Sequence, residues 1–408
     1  MIHYMTTIGV GDAWVGNELR RVAARGIPVR LHALRRAPVT YFAADDIAEM
    51  ARETRALYPL PPLGLLGDVL AAPLRFRARF LGALWNALAG RRESVRVRLA
   101  GLWHLAVACH WAGRLAREGA PVAHIHSQWI HSGGTVAYFG AWLLGRPYSF
   151  TGHATDLFRD RAALADKIRR AAFIVCISEF HRRFYLAEGA REAQLVLVYC
   201  GIDTGHFAPV ARPRAEGEPF RILASGRLVA KKGFDVLIRA CARLAAQGID
   251  VRCTIAGSGP LEDALRAQVA AAGLGDRVAL TGEALRQEDI PGFMAGGHAY
   301  CLPCVQAPDG DIDGLPQMLM EAMACGLPAV STDLVGIPDL VRDGETGLLA
   351  PPGDAEALAA ALARLAADPD LAARLAAAGR AHVEAAFDIE TCLEPLVARY
   401  RAALEGCP

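Results

Sequence analysis

Short apolar runs alternate with stretches of helical period along this chain, and the alternation is clearest after residue 219. Phe220–Ser225 reads as a strand, and Phe234, Leu237, Ile238, Cys241 and Leu244 then recur at helical spacing. Val251–Ala256 reads as a second strand, closed by Gly257-Ser258-Gly259-Pro260 before another helix. Val278–Thr281, Ala299–Leu302 and Ala329–Ser331 are further apolar runs of the length buried in parallel sheets. Strands alternating with helices of this length predict a doubly wound α/β domain with ligands at the carboxyl ends of its strands.

The earlier half repeats these units less regularly. Ile2–Thr6 reads as a strand, followed by a loop with Gly9 and Gly11, a helix to about Arg25 and a strand at Val29–Leu34. Val122–His126, Tyr148–Thr151, Phe173–Ile177 and Leu195–Tyr199 continue the series, and the polar, Pro-rich Ala208–Pro219 reads as a linker. The expected organisation is therefore one domain over 1–205, a second over 206–388 and a terminal helix over 389–408.

A length of 408 residues exceeds one ordinary core and agrees with two domains. The net charge of +1 gives no global electrostatic case for nucleic acid. No basic-then-apolar signal pattern opens the chain, so its ten cysteines are expected as reduced thiols of a cytoplasmic protein. Cys301 and Cys304 form an isolated CxxC in a strand-like run without the second ligand pair of a zinc site.

No apolar run reaches the roughly 18 residues of a membrane span. Between Ala71 and Glu118, however, nine arginines and two glutamates interleave with Phe76, Phe80, Leu81, Leu84, Trp85 and Leu88. That segment fits either an arginine-rich helix face docked on its own domain or a basic amphipathic helix on an anionic membrane. The second reading would make the protein peripheral on the inner face of a membrane.

Candidate chemistry concentrates between Asp309 and Thr332. Asp313 precedes Gly314-Leu315-Pro316, and Leu315, Met318, Leu319, Ala322 and Met323 make an apolar stripe from which Glu321 departs. Pro316 suits a first helical turn. Asp309, Asp311 and Asp313 also open a calcium-loop pattern, but its closing position holds Met320 and Glu321 comes one residue late. Read plainly, Asp313 is a helix cap and Glu321 a solvated face residue. Gly226 to Gly233 brings Arg227 and Lys232 to a strand-to-helix turn suited to a diphosphate, without the order of a P-loop. His153 follows a strand, with Asp156 three residues on as a helix cap. His124 and His126 share one face of a strand, where a core or cleft role suffices without a metal.

Together these residues resemble glycosyltransferase family 4, the retaining nucleotide-sugar transferases of GT-B fold, in the branch that builds exopolysaccharides such as colanic acid. The carriers are the acidic-x7-acidic pair Asp313 and Glu321, the R-x4-K pair Arg227 and Lys232, and His153-Ala154-Thr155-Asp156. The resemblance runs from about Pro121 onward. It implies two Rossmann-like domains facing an interdomain cleft, with the terminal helix returning to the first. It also implies a nucleotide diphosphate sugar as donor and a saccharide or lipid-linked glycan as acceptor. His153 and Asp313 would be the catalytic residues near the donor sugar. Arg227, Lys232, Glu321, Gly314, Leu315 and Glu283 would bind the donor, with Glu321 on the ribose and Glu283 near the nucleobase. Gly9, Gly11 and His126 would lie on the acceptor side. Two cations can replace a divalent ion at the diphosphate, so neither metal nor cofactor is expected. The family has Glu where this chain has Asp313. Two other readings fit the same residues: a nucleotide-sugar epimerase of GT-B fold, and a non-catalytic subunit that docks on glycan or membrane.

Overall fold

The computed structural model describes residues 1–10, 13–36, 45–153, 156–157, 161–210 and 214–406. They form two compact units, one of Met1–Val198 with Leu393–Pro408 and one of Tyr199–Cys392.

The first unit holds seven parallel strands: β1 Ile2–Thr6, β2 Val29–Ala33, β3 Arg55–Ala56, β4 His124–Gln128, β5 Tyr148–Thr151, β6 Ala171–Cys176 and β7 Leu195–Leu197. Their order in the sheet is β3-β2-β1-β4-β5-β6-β7. Its helices are α1 Ala13–Ala24, α2 Asp45–Glu53, α3 Pro62–Phe76, α4 Ala78–Ala89, α5 Val95–Arg117, α6 Ser132–Leu144, α7 Leu164–Arg170 and α8 Glu179–Ala187. The main core lies where α5 and α6 cover the sheet, with Trp111, Tyr138, Phe139 and Phe150 fully buried.

The second unit holds β8 Phe220–Ser225, β9 Val251–Ala256, β10 Val278–Leu280, β11 Ala299–Leu302, β12 Ala329–Thr332 and β13 Leu348–Ala350. The sheet order β10-β9-β8-β11-β12-β13 reverses between β8 and β11, the place where doubly wound sheets open a ligand crevice at their carboxyl ends. Its helices are α9 Phe234–Ala246, α10 Glu262–Ala271, α11 Ile290–Met294, α12 Gln317–Ala324, α13 Ile337–Leu340, α14 Ala355–Ala367 and α15 Pro369–Ala386. A final helix, α16, spans Ile389–Glu405. In the first unit its Tyr400 is fully buried beside His126, with ring centroids 5.8 Å apart.

Tyr148–Thr151, Phe220–Ser225, Val251–Ala256 and Ala299–Leu302 are strands over the residues their apolar runs predict. β4 begins two residues later than its run, at His124. β3 and β13 are absent from the sequence reading, because two or three residues carry no period of their own. Ile202, before the expected boundary at 205–206, packs in the second unit's core.

Candidate functional site

In the second unit, the turn after β8 is stitched to both neighbouring strand ends. Gly226 N–H donates to the Ala256 carbonyl at 2.9 Å, and Leu228 N–H to the Ser258 carbonyl at 2.9 Å. On the other side Val305 N–H donates to the Lys231 carbonyl at 2.9 Å. The glycines are what let these backbones meet. A Cβ on Gly257, whose φ is +154°, would lie 1.9 Å from the Gly226 carbonyl oxygen, and one on Gly233 (φ +66°) 1.9 Å from that of Pro303. Gly257 was read as part of a turn; its close approach to Gly226 depends on a fold that juxtaposes β8 and β9.

This stitching brings lysines and aspartates together at the sheet's reversal point. Lys232 Nζ lies 2.5 Å and Lys231 Nζ 3.0 Å from the two carboxylate oxygens of Asp313, and Lys231 also reaches Asp311 at 3.2 Å. The Cys304 thiol donates to the same Asp313 carboxylate at 3.8 Å. Burial works against the Asp313 charge, but Lys232 and Lys231 outweigh it and hold the carboxyl below its ordinary range. Burial also pulls on the Lys231 ammonium, and Asp313 and Asp311 outweigh that to leave it above its ordinary value. Lys231, for which the R-x4-K spacing assigns no part, is thus the side chain that bridges both aspartates. Asp311 and Asp313 both turn toward the lysines.

Asp313 is not a helix cap, since α12 begins at Gln317 and makes no side-chain cap bond. Pro316 stands just before the helix in extended conformation, with φ −70° and ψ 120°, rather than inside its first turn. The helix is also buried more completely than its stripe predicts, with Met320 and Glu321 enclosed as well. Glu321 is only 5% exposed, which overturns the solvated reading. Its Oε1 accepts a bond from Gln287 Nε2 at 3.1 Å. Burial raises its carboxyl to about 7, with the Gln287 bond acting in the opposite direction. Gln287 carried no sequence signal for this contact.

Arg227 is exposed on the turn after β8, with no ion pair to its side chain among the described residues. Gly314 accepts from Gly336 N–H at 3.0 Å, and Leu315 packs half-buried against the core. Glu283 is exposed after β10, its backbone N–H bonded to Thr281 Oγ1 at 3.2 Å. Cys301 and Cys304 are buried thiols whose ionisation burial pushes upward, a setting for inert packing rather than redox chemistry.

In the first unit, His153 follows β5 with its ring 5.4 Å from that of Trp129. Burial lowers its imidazole to about 4, against the raising effect of Asp156. Asp156 is a tie rather than a cap: it is fully buried and accepts from the backbone of Ile130, His131 and His153 and from the His131 ring at 2.7 Å. The loops after β4 and β5 are thereby held together. Burial disfavours its charge, but His131 and these amides outweigh it and keep the carboxyl below its usual range. Ala154 and Thr155 lie outside the described residues, as does Gly11. Gly9 is buried after β1 with φ +66°.

His126 does not fit the acceptor assignment. It is fully buried within the first unit, its Nδ1 2.8 Å from Ser149 Oγ and its Nε2 3.1 Å from Thr151 Oγ1. His124 shares the same Ser149 hydroxyl at 2.6 Å. Burial lowers both imidazoles to about 3, so they are neutral core groups.

Two α/β units on parallel sheets, one with a cationic and acidic cluster at its reversal point, define the class as GT-B, and comparison with solved structures agrees. The fold of Anabaena HepE, solved in complex with UDP, superposes with a TM-score of 0.69 at 18% identity, covering 98% of this chain and 99% of that one. Residues 210–382 match the family glycosyl transferases group 1, and the second unit carries that family's domain. The chain is 40% identical over 212 residues to the amylovoran biosynthesis glycosyltransferase AmsK of Erwinia amylovora, 52% of each chain. It is 37% identical over 196 residues to the putative colanic acid biosynthesis glycosyltransferase WcaL of Escherichia coli K12, 48% of each. The chain thus spans about half the length of these curated relatives.

Proposed function

We propose that this protein transfers a sugar from a nucleotide diphosphate donor to a hydroxyl of a saccharide or lipid-linked glycan in exopolysaccharide synthesis. The observation that carries this reading is the pairing of Lys231 and Lys232 with Asp313 at the point where the second sheet reverses. A bare aspartate there holds two ammonium groups that a diphosphate can recruit. The named activities of AmsK and WcaL support the same reaction class.

In this reading the acceptor hydroxyl oxygen bonds to the anomeric carbon as the bond to the diphosphate oxygen breaks. The hydroxyl proton passes to the departing diphosphate, and attack from the same face retains configuration. Lys232, Arg227 and the first amides of α12 stabilise the growing phosphate charge by position set in advance. As phosphate draws the lysines away, Asp313 gains open acceptor positions for sugar hydroxyls. Glu321, held by Gln287, accepts from the ribose. Glu283 borders the nucleobase, Gly314 and Leu315 shape the sugar side, and His153 contacts the donor sugar. The cations already present make the reaction independent of added metal and cofactor.

A thermal-shift screen of nucleotide sugars and free nucleotides tests the donor assignment, because a ligand that binds only the folded state raises Tm. The expected result is a shift with one nucleotide diphosphate and its sugar, unchanged by EDTA. No shift across the set would sink the reading. Product analysis with donor alone must show unchanged sugar, since epimerised sugar would identify an epimerase instead.

A further inference from the structure

Eleven large apolar side chains are exposed among the described residues, and ten of them lie on α3, α4 and the start of α5. They are not scattered. Leu63, Leu66, Leu70 and Leu74 recur along α3, Leu81, Trp85 and Leu88 along α4, and Val95, Leu99 and Trp103 along α5, each set at helical spacing. Leu63 is 85%, Leu74 84% and Trp85 71% exposed. The opposite faces already have partners: Asp68, Ala72 and Phe76 on α3 and Ala83 and Ala87 on α4 are buried, and the three helices pack on one another. These helices are therefore apolar on two sides, one of which the unit itself does not cover. A soluble monomer rarely exposes such a cluster unless it binds something.

Charge chooses the occupant. Arg77, Arg79, Arg91 and Arg96 are exposed on the same three helices and the turns that join them. The acidic side chains of this stretch are engaged elsewhere. Asp68 is buried against His110 and Arg75, and Glu93 accepts from the backbone of Ala163 and Leu164. Leucines and two tryptophans interspersed with arginines along these helices suit the boundary between acyl chains and anionic headgroups. The structure also redraws the arginine-rich 71–118 segment. From Leu105 on, α5 is largely core, and the charges of Arg114 and Arg117 are taken up by Glu118 and Asp68, so the exposed apolar side chains all lie before it.

We propose that the outer face of α3, α4 and the first turns of α5 docks the protein on an anionic lipid surface. No helix among the described residues is long and apolar enough to cross a membrane, so the contact is one of lying on the surface. It stands on exposure and charge alone and is independent of the assigned reaction.

The test is co-sedimentation of the full chain with phosphatidylcholine vesicles and with vesicles that also contain phosphatidylglycerol. Binding is expected to the second kind and to weaken with salt. Leu74→Gln and Leu81→Gln should each weaken it by about tenfold. Arg77→Gln, Arg79→Gln and Arg91→Gln should each weaken it by about fivefold. Unchanged melting by circular dichroism establishes that these surface variants fold. Absence of vesicle binding, or equal binding to both vesicles, would overturn the proposal. So would a wild-type dimer, measured by light scattering, that Leu74→Gln and Leu81→Gln convert to monomer, since the face would then belong to a second copy.

Discussion

Two clusters of titratable side chains sit on the two parallel sheets, and their fates differ. In the first unit His124 and His126 lie within the body of β4, share the hydroxyl of Ser149 and are sealed as neutral rings. In the second, Lys231, Lys232, Asp311 and Asp313 lie in the turns beyond β8 and β11, form ion pairs with one another and retain 13–19% side-chain exposure. Inside a strand, a polar side chain must be satisfied by the neighbouring strand and is lost to ligands. Past the strand end it can be satisfied by an opposite charge and remain exchangeable.

The sharpest way to break this contrast is to remove the exchangeable pair. Lys232→Ala should lower kcat/KM by about a thousandfold and weaken nucleotide diphosphate binding. Asp313→Asn should lower kcat/KM by about a hundredfold while binding holds or tightens, because both lysines are released. Steady-state kinetics and calorimetry on the two variants decide it. Parallel loss of affinity in both would remove the exchange from the argument.

His126→Ala should act only on stability, costing ~2–4 kcal/mol by chemical denaturation through a cavity and the loss of its bonds to Ser149 and Thr151. Nucleotide affinity should not move. Weaker binding at unchanged stability would make His126 a ligand contact and erase the contrast.

Glu321 sharpens the comparison further, since it is buried like the histidines yet assigned to the ligand. Its carboxyl is raised to about 7 in the fold. Between the ordinary carboxylate value and that pH the folded state binds the extra proton, so stability falls as pH rises through the window. Below the window both states are protonated and nothing is lost. Glu321→Gln should therefore match the wild type near the lower end and exceed it by roughly 2–3 kcal/mol at pH 8. The same variant should bind nucleotide less tightly. Melting curves that stay parallel across pH would show that Glu321 ionises normally.

The smallest effect is expected from exposed Arg227. Arg227→Ala should weaken diphosphate binding by about fivefold to tenfold, more at low salt than at high. A salt-independent loss would argue for a structural part instead.

Much of the second unit was legible because its strands are mostly buried, β11 and β12 on both faces, and written as short apolar runs. Arg227, Lys232, Asp313 and Glu321 were legible only as a spaced set that resembled a family. Their spacing does not say that Lys231 would bridge two aspartates, nor that Gln287 would reach Glu321. Those contacts join residues 82, 80 and 34 positions apart, and local pattern carries no information at that distance. His126 was misread for a related reason. Alternation along β4 predicts which face the ring takes, while its burial depends on Tyr400 from the far end of the chain.

Periodicity and composition alone settle the α/β character, the parallel sheets and the strand ends where chemistry belongs, because hydrophobic period is a local property of the chain. Which polar residues at those ends are sealed, paired or open follows from strand order and from glycine-permitted backbone contacts. The same holds for the leucines of α3 and α4. Helical spacing groups them, but exposure is a property of what surrounds a side chain, and that is settled only once the helices have packed.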